Sequence, residues 1–406
     1  MIQCWRWFGP DDPTQLTDLP QVGATGVVTA LHQHAPGEPW PEKDIAARKV
    51  MIDGAGLNWA VVESLPVSEA IKTQGPDMAA HLSHYRSSLA ALARQGVETI
   101  CYNFMPILDW TRTQTRAIQP HGGTAMLFDL AEFAAFDLHI LCRPAAVQDY
   151  SDAVKDAAAL AFAQMNDARR ADLMRTVIAG LPGANDGWTL DDVRARLATY
   201  DQIGANRLRQ NLIDFLSEVV PLAEQLGLRL CCHPDDPPFS LLGLPRVMSS
   251  ADDYGAVLDA VDSPANGATL CTGSLGVDPA FDAPAFVSRF GPRIHFAHLR
   301  NTKRLPSPDA ARPGFLEAPH LEGNTDMVAT ITALMKEEAR RRAEGRSDHA
   351  IPMRPDHGQA LLGDCDRNSL PGYPLIGRMR GLAELRGIMA TVEANLRPGS
   401  AMRGQV

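Results

Sequence analysis

The sequence LRLCCH at 228–233 is a short, mostly apolar run that ends in a histidine, and similar runs recur along the chain. Short runs of this kind are typical of buried β-strands. Amphipathic stretches such as 44–55 and 81–95 lie between most of them and are long enough for right-handed crossover helices. The eight predicted strands occupy 2–8, 26–32, 58–64, 98–104, 228–233, 268–272, 293–299 and 350–356.

Eight alternating strand and helix units predict an α/β fold, a closed parallel (β/α)8 or TIM barrel. A doubly wound open sheet is the alternative, but no Gly-x-Gly-x-x-Gly motif follows an early predicted strand to support dinucleotide binding. Although 406 residues often form two or three domains, barrels reach this length as one unit. We therefore predict a single barrel domain over residues 1–406.

One connection is much longer than a crossover requires. Residues 109–226 separate the fourth predicted strand from the fifth, with helical patterns at 153–165 and 190–197 around a break at 181–183. We therefore expect a helical insertion after the fourth strand. It would form a lid over the barrel mouth or a subunit contact, and we expect a homo-oligomer.

Composition restricts the partners and the compartment. Hydrophobic residues make up 45% of the chain, charged residues make up 21%, and the net charge is −10. This charge disfavours a nucleic-acid partner, so we expect a small-molecule substrate. The seven cysteines form no Cys-x-x-Cys pair, and the sequence shows no signal peptide and no apolar segment of the roughly 18 residues that a membrane helix needs. We expect a cytoplasmic protein that does not bind membranes.

The last four predicted strands end in residue types that bind metals. In a barrel, the C-terminal strand ends carry the chemistry, so we expect these side chains to converge on one divalent cation. Strand alternation places Cys231 on the inward face, whereas Cys232 and His295 should point away. Each ligand alone would more often be a core residue, and the mixed set fits zinc, ferrous iron or manganese. The four predicted ligands are His233, Cys271, His298 and Asp356.

Further polar residues lie close to these ligands in the sequence. Arg300 and Arg354 are candidates for binding a substrate carboxylate in a bidentate fork, or alternatively for salt bridges at the barrel rim. His357 and Tyr373 are candidate acid and base groups, although each could equally be a structural hydrogen-bonding residue. Asp235 and Asp236, in the loop after His233, are further candidates, or alternatively residues that support the ligands or cap the loop.

The chain also resembles the mannonate dehydratase family of hexuronate catabolism in twelve ordered segments, which extend from Cys4 to about Ala390. They are CWRWFGPDDP, GATGVVTALH, VVES, CYNFMPILDWTRT, EFAAFDLHIL, AGLPGA, HPDDPP, GLPR, CTGSLG, FGPRIHFAHLR, IPMRPDHG and PGYPLIGRMRGLAELRG. The resemblance implies a xylose-isomerase-like barrel that dehydrates D-mannonate to 2-dehydro-3-deoxy-D-gluconate in glucuronate breakdown. It implies Mn2+ or Fe2+ on His233, Cys271, His298 and Asp356, and proton transfer by His357 and Tyr373.

Other functions remain as alternatives. A metal-dependent sugar isomerase or epimerase would use the same barrel, but a thiolate ligand counts against it. A dehydratase of another aldonate would need the same groups. A non-catalytic sugar-acid-binding protein would not need His357 and Tyr373. The sequence leaves open which of these two residues is the base and which is the acid.

Overall fold

The computed structural model describes residues 1–179, 187–367 and 369–396, and the predicted break at 181–183 lies outside them. The strands are β1 Ile2–Arg6, β2 Gly26–Thr29, β3 Asn58–Glu63, β4 Thr99–Tyr102, β5 Gln114–Ile118, β6 Thr124–Phe128, β7 Arg229–Cys232, β8 Asn266–Cys271, β9 Ile294–His298, β10 Thr302–Leu305, β11 Gly314–Glu317 and β12 Pro352–Arg354. The α-helices are α1 Glu42–Gly54, α2 Glu69–Lys72, α3 Met78–Arg94, α4 Leu130–Ala135, α5 Asp152–Gln164, α6 Asp167–Ala179, α7 Leu190–Ala198, α8 Ala205–Gln225, α9 Ala251–Ala260, α10 Thr272–Leu275, α11 Ala283–Phe290, α12 Met327–Ala343 and α13 Leu375–Leu396. Short 3-10 helices occupy Leu16–Val22, Ala146–Asp149, Gly291–Arg293 and Leu362–Asp364, and a π-helical turn occupies Phe136–Ile140.

Eight of these strands close into a parallel barrel in the order β1-β12-β9-β8-β7-β4-β3-β2. The first strand pairs with β2 on one side and with the last strand, β12, on the other. Seven of the eight predicted strand regions contain a barrel strand, and the remaining one, 268–272, overlaps β8, which begins two residues earlier at Asn266. The predicted closed (β/α)8 barrel is therefore confirmed.

The register of the strands aligns polar side chains at the C-terminal end of the barrel. Cys271 on β8 is paired with His298 on β9, and His298 is paired with Arg354 on β12. Paired residues of neighbouring parallel strands point to the same face of the sheet. The register therefore places these three side chains next to one another at the barrel mouth.

The barrel interior is filled by small and medium side chains, namely Cys4, Val28, Ala60, Val61, Cys101, Cys231 and Phe296. Cys232 instead belongs to the larger core between the strands and the surrounding helices. The strand alternation that separated Cys231 from Cys232 in the sequence is thus present in the fold. Gly26 allows close packing here, because a Cβ at this position would lie 2.6 Å from Cys4 Sγ.

The 109–226 segment is only partly helical. It begins with the β5–β6 hairpin, which joins β11 and β10 in a four-stranded antiparallel sheet of order β10-β11-β6-β5. Helices α4 to α7 follow, and α8 then packs against α3 and α9 as the helix that leads into β7. The prediction of a helical insertion is therefore correct for α4 to α7, but it missed the two strands β5 and β6. A lid or subunit-contact role for the segment stays a prediction.

Two observations concern the cysteines and the length of the helices. All seven cysteines lie in the described residues and are free, with Cys142 and Cys365 exposed and the others buried. None of the described helices combines the length and apolar character that crossing a membrane requires.

Packing of α12 against the barrel predicts a large difference between two aliphatic truncations on the same helix. Ile331 is fully buried, whereas Val328 is 55% exposed. Ile331→Ala should lower the free energy of unfolding by about 2–5 kcal/mol because it removes buried methyl groups and leaves a cavity. Val328→Ala should change it by about 0.5 kcal/mol or less. Urea denaturation measures both free energies of unfolding. Equal decreases for the two variants would contradict the burial of Ile331.

Candidate active site and metal centre

A cleft of about 470 Å³ opens at the C-terminal end of the barrel strands. This is the end of a (β/α)8 barrel where functional residues gather. Its lining comes from both ends of the chain and from the insertion. It includes Arg6, Glu63, Asn103, Asp109, Trp110, His233, Asp236, Arg300, Arg354, Asp356, His357 and Tyr373.

Three of the four predicted metal ligands form a tight group, and one of them, His233, lines this cleft. One donor atom from each of His233, Cys271 and His298 lies within 4.8 Å of the others. The distance between His233 Nε2 and His298 Nδ1 is 3.2 Å. Two imidazoles and a thiol so close together are a typical donor set for a transition metal.

The surroundings of these donors orient His233 and ionise Cys271. His233 Nδ1 lies 2.7 Å from the carbonyl oxygen of Pro234, an acceptor, so the lone pair of a neutral imidazole lies on Nε2, toward the other donors. Burial raises the pKa of Cys271, but hydrogen bonds with His233 and His298 outweigh burial and hold the pKa well below its ordinary value. Burial lowers the pKa of His233, but the hydrogen bond with Cys271 and the charge of its sulfur raise it to about 10. The two groups therefore stabilise each other as thiolate and imidazolium, and a metal ion would bind the thiolate in place of the imidazolium proton.

Asp356, the fourth predicted ligand, lies beside this group. Its Oδ2 is 3.9 Å from Cys271 Sγ and 3.9 Å from His298 Nδ1. Its Oδ1 forms an ion pair with Arg354 Nη1. Burial raises the pKa of Asp356, but the charge of Arg354 and the nearby His357 and His298 lower it well below its ordinary value. One carboxylate oxygen thus faces the three donors while the other is held by an arginine.

Arg354, predicted to bind a substrate carboxylate, is instead occupied within the protein. Its Nη2 and Nε donate to Glu63 at 2.7 and 3.0 Å, so the bidentate fork holds Glu63. Glu63 Oε1 is also 3.3 Å from His298 Nε2, a contact that turns Nδ1 of this ring toward the other metal donors. A substrate carboxylate would have to displace Glu63 to use this fork.

Arg300, the second predicted substrate-binding arginine, belongs to a closed ring of buried charges. It donates to Asp236 at 2.6 Å and to Glu317 at 2.8 Å, and Arg112 donates to the same two carboxylates at 3.0 Å each. All four side chains are at most 2% exposed. Gly273 leaves room for this ring, because a Cβ there would lie 2.5 Å from Arg300 Cγ. The paired charges fix Arg300 against the cleft.

His357 and Tyr373, the two predicted proton-transfer residues, are in direct contact. His357 Nε2 lies 3.2 Å from the Tyr373 hydroxyl, and Nδ1 lies 3.3 Å from Glu317 Oε1. Burial raises the pKa of Glu317, but Arg300, His357 and Arg112 lower it to about 2, so Glu317 is an ionised acceptor. Burial raises the pKa of Tyr373 to about 12, so its hydroxyl keeps its proton at neutral pH.

Comparison with known proteins agrees with the fold. The model of the family described as D-mannonate dehydratase (UxuA) matches residues 1–398. This chain belongs to that family. Mannonate dehydratase 1 of Agrobacterium fabrum strain C58 is 54% identical over 392 residues and covers 97% of each chain. The mannonate dehydratase of Rhizobium meliloti strain 1021 is 52% identical over 389 residues and covers 96% of each chain.

A solved structure extends this comparison to three dimensions. The crystal structure of mannonate dehydratase from Streptococcus suis serotype2 has a TM-score of 0.75 and 29% identity, and the match covers 98% of this chain and 96% of that one. The resemblance to the mannonate dehydratase family that the sequence motifs indicated is confirmed.

Within this family member, several cleft residues escaped the sequence-based prediction. Glu63 ends β3 and could have been found by the rule that selected His298, because it lies at the C-terminal end of a barrel strand. Glu317 lies in a segment for which no strand was predicted, and Arg112 lies in the predicted helical insertion. Their partners are 17 to 205 residues away in the sequence, so no local pattern marks them.

The metal centre predicts different effects for two buried cysteines. Cys271→Ser should weaken Mn2+ binding by more than the roughly 10- to 100-fold typical of losing a supporting residue, because a neutral hydroxyl replaces a thiolate ligand. Cys232→Ser, the matched control, should keep its metal, because Cys232 lies in the core outside the barrel interior. Metal analysis after equilibrium dialysis against Mn2+ measures both. Full metal retention by Cys271→Ser would contradict the proposed site.

Proposed function

We propose that this chain dehydrates D-mannonate to 2-dehydro-3-deoxy-D-gluconate and water, as a step of hexuronate catabolism. The observation that carries the proposal is the contact between His357 and Tyr373 in the same cleft as the metal donors, with Nε2 and the hydroxyl 3.2 Å apart. Dehydration needs a base, an acid and stabilisation of negative charge at a carboxylate. The names of the family and of its curated members support the substrate.

We propose Mn2+ or Fe2+ as the cofactor, with His233, Cys271, His298 and Asp356 as its ligands. The residues fit such an ion, since one thiolate and one carboxylate provide two negative charges and one nitrogen of each imidazole lies within 4.8 Å of the thiolate sulfur. When bound, the cation would supply Lewis-acid stabilisation of the charge that develops on the substrate carboxylate.

The contacts of His357 favour a role as the base. The Glu317 carboxylate can only accept a hydrogen bond, so the proton of a neutral His357 ring lies on Nδ1. The lone pair then lies on Nε2, which faces the cleft beside Tyr373. In this arrangement, His357 accepts the proton that leaves C2 of the substrate, and Glu317 stabilises the imidazolium that forms.

Tyr373 is then the acid. It keeps its proton at neutral pH, because burial raises its pKa to about 12. As the C3–O bond breaks, Tyr373 donates this proton to the departing hydroxyl, which leaves as water. The C2–H electron pair forms the C2=C3 double bond, and the resulting enol converts to the 2-keto acid. One proton enters the leaving group and one leaves C2, so the reaction is balanced.

The two predicted substrate arginines receive different roles in this proposal. Arg354 positions Glu63 and Asp356 through its ion pairs. Arg300 lines the cleft and has an Nη2 without a hydrogen-bond partner among the described residues, so it remains a candidate for a substrate oxygen.

We also infer a cytoplasmic location and a homo-oligomeric assembly. The seven free cysteines support a reducing compartment. The insertion of α4 to α7 is the segment that we expect to contact another subunit or to cover the cleft.

A direct assay tests the function. Purified protein is incubated under reducing conditions with D-mannonate and either Mn2+ or Fe2+, and the 2-keto-3-deoxy product is measured, with chelator-treated protein as the control. D-gluconate and D-altronate, the C2 and C3 epimers, test the alternative of another aldonate, and detection of a ketose or epimer tests the isomerase alternative. Absence of product from D-mannonate with both metals would exclude the proposal.

If His357 and Tyr373 transfer protons and do not bind the metal, replacing them should lower activity without lowering metal content. His357→Asn and Tyr373→Phe should each reduce the dehydration rate about 100- to 10,000-fold, the usual contribution of general acid or base catalysis, and should retain Mn2+. Tyr85→Phe is a matched control, because the buried Tyr85 hydroxyl has no hydrogen-bond partner in the described part of the chain and does not line the cleft. Steady-state kinetics and metal analysis measure the effects. If His357→Asn loses its metal, the imidazole supports the metal site and the base lies elsewhere.

A further inference from the structure

Arg6, the last residue of β1, contributes a buried cation to the cleft. Its side chain is 5% exposed, and its Nε and Nη1 have no hydrogen-bond partner among the described residues. Buried N–H groups without an acceptor cost free energy, and more so when the group is charged. A ligand in the cleft that accepts hydrogen bonds would remove this cost.

Arg6 differs from the other arginines that line the cleft. Arg354 and Arg300 each have carboxylate partners within 3.0 Å. The carboxylate contact of Arg6 is with Glu63 Oε2, 3.9 Å from Nη1, and this oxygen already accepts a hydrogen bond from Arg354. The positive charge of Arg6 is therefore the one in this set without a carboxylate partner at hydrogen-bond distance.

Contacts around Arg6 hold the side chain in place without neutralising it. Nη2 lies 3.3 Å from His32 Nε2, and the guanidinium carbon lies 4.8 Å from the centre of the Phe8 ring. Arg378 donates a hydrogen bond to the Arg6 main-chain oxygen at 2.9 Å. Burial and the charges of Arg6 and Arg48 lower the pKa of His32 to about 3, so His32 is neutral. Arg6 is thus a fixed cation that faces the cleft.

The position of Arg6 agrees with an anionic ligand group near the metal donors. Glu63 lies between Arg6 and His298, with contacts of 3.9 Å to Arg6 Nη1 and 3.3 Å to His298 Nε2. Phe8 contacts both Arg6 and Tyr373, with a distance of 4.7 Å between the rings of Phe8 and Tyr373. A substrate group at Arg6 therefore lies within reach of the proposed reaction centre.

We propose that Arg6 binds the carboxylate of the substrate and so selects an acid over a neutral polyol or aldose. This proposal rests on the proposed function, because it assigns a binding residue for the same sugar acid. The substrate carboxylate would accept hydrogen bonds from the guanidinium nitrogens that have no partner, and its negative charge would balance the positive charge of Arg6. Charge-assisted hydrogen bonds of this kind are stronger than neutral ones.

Two inert probes test the proposal on Mn2+-loaded protein by titration calorimetry. Glycolate has a carboxylate and one α-hydroxyl, whereas D-mannitol has the full hydroxyl chain and no carboxylate. Arg6→Met should weaken glycolate binding about 10- to 100-fold, because a charge-assisted interaction is lost, and should leave D-mannitol binding unchanged. Arg86→Met is the matched control, because Arg86 forms a surface ion pair with Glu218 at 2.7 Å, and it should bind glycolate as the wild type does.

Metal content and the thermal midpoint are measured for each variant. If Arg6→Met does not fold, Arg6→Lys is used, and it should weaken glycolate binding less than tenfold because it keeps the charge. Unchanged glycolate affinity, equal weakening of both probes, or loss of Mn2+ would overturn the proposal, as would failure of glycolate to bind the wild type. Because the probes need no turnover, a wild type that does not dehydrate D-mannonate would contradict the proposed function and leave this test intact.

Discussion

Closure of the barrel between β1 and β12 is the constraint on which the rest of the structure depends. Ile2 and Gln3 at the start of the chain pair with Pro352 and Met353 near its end. Closure places the end of β1 beside the end of β12, so Arg6 lines the same cleft as Arg354 and the residues after it. Because all eight barrel strands are parallel, their C-terminal ends meet at one mouth. The metal donors come from the neighbouring strands β7, β8, β9 and β12, and closure adds the ends of β1 and β3 to the same cleft.

Compensation of buried charge organises the cleft. Arginines and carboxylates alternate around the metal donors, and most are paired at 3.0 Å or less. Unpaired charges in such a dry site are unfavourable, whereas paired ones keep their orientation. This network explains why Arg300 and Arg354 hold protein carboxylates. It also explains why Arg6, with its weaker pairing, is the cation that stands out.

The small antiparallel sheet positions residues that contact the proposed proton-transfer residue His357. Glu317 ends β11 and contacts His357, while Arg112 precedes β5 and contacts Glu317. The hairpin β5–β6 precedes β7 in the chain and β11 follows β9, and the two segments meet in this sheet. Through Arg112 and Glu317, the 109–226 segment therefore contacts the residue that holds His357.

The sequence by itself determined the eight barrel strands, the inward direction of Cys231, and the metal-binding residue types at the ends of β7, β8 and β9, because strand periodicity and apolar runs are local properties. It also carried the family motifs. The tertiary structure decided the pairing of charges, which depends on distances between residues far apart in the chain. Arg354 and Glu63 are 291 residues apart and Arg112 and Glu317 are 205 residues apart. The sequence analysis missed β5 and β6. Strand β5 is half exposed, and the sheet that contains both strands is completed by pairing of β6 with β11, from another part of the chain.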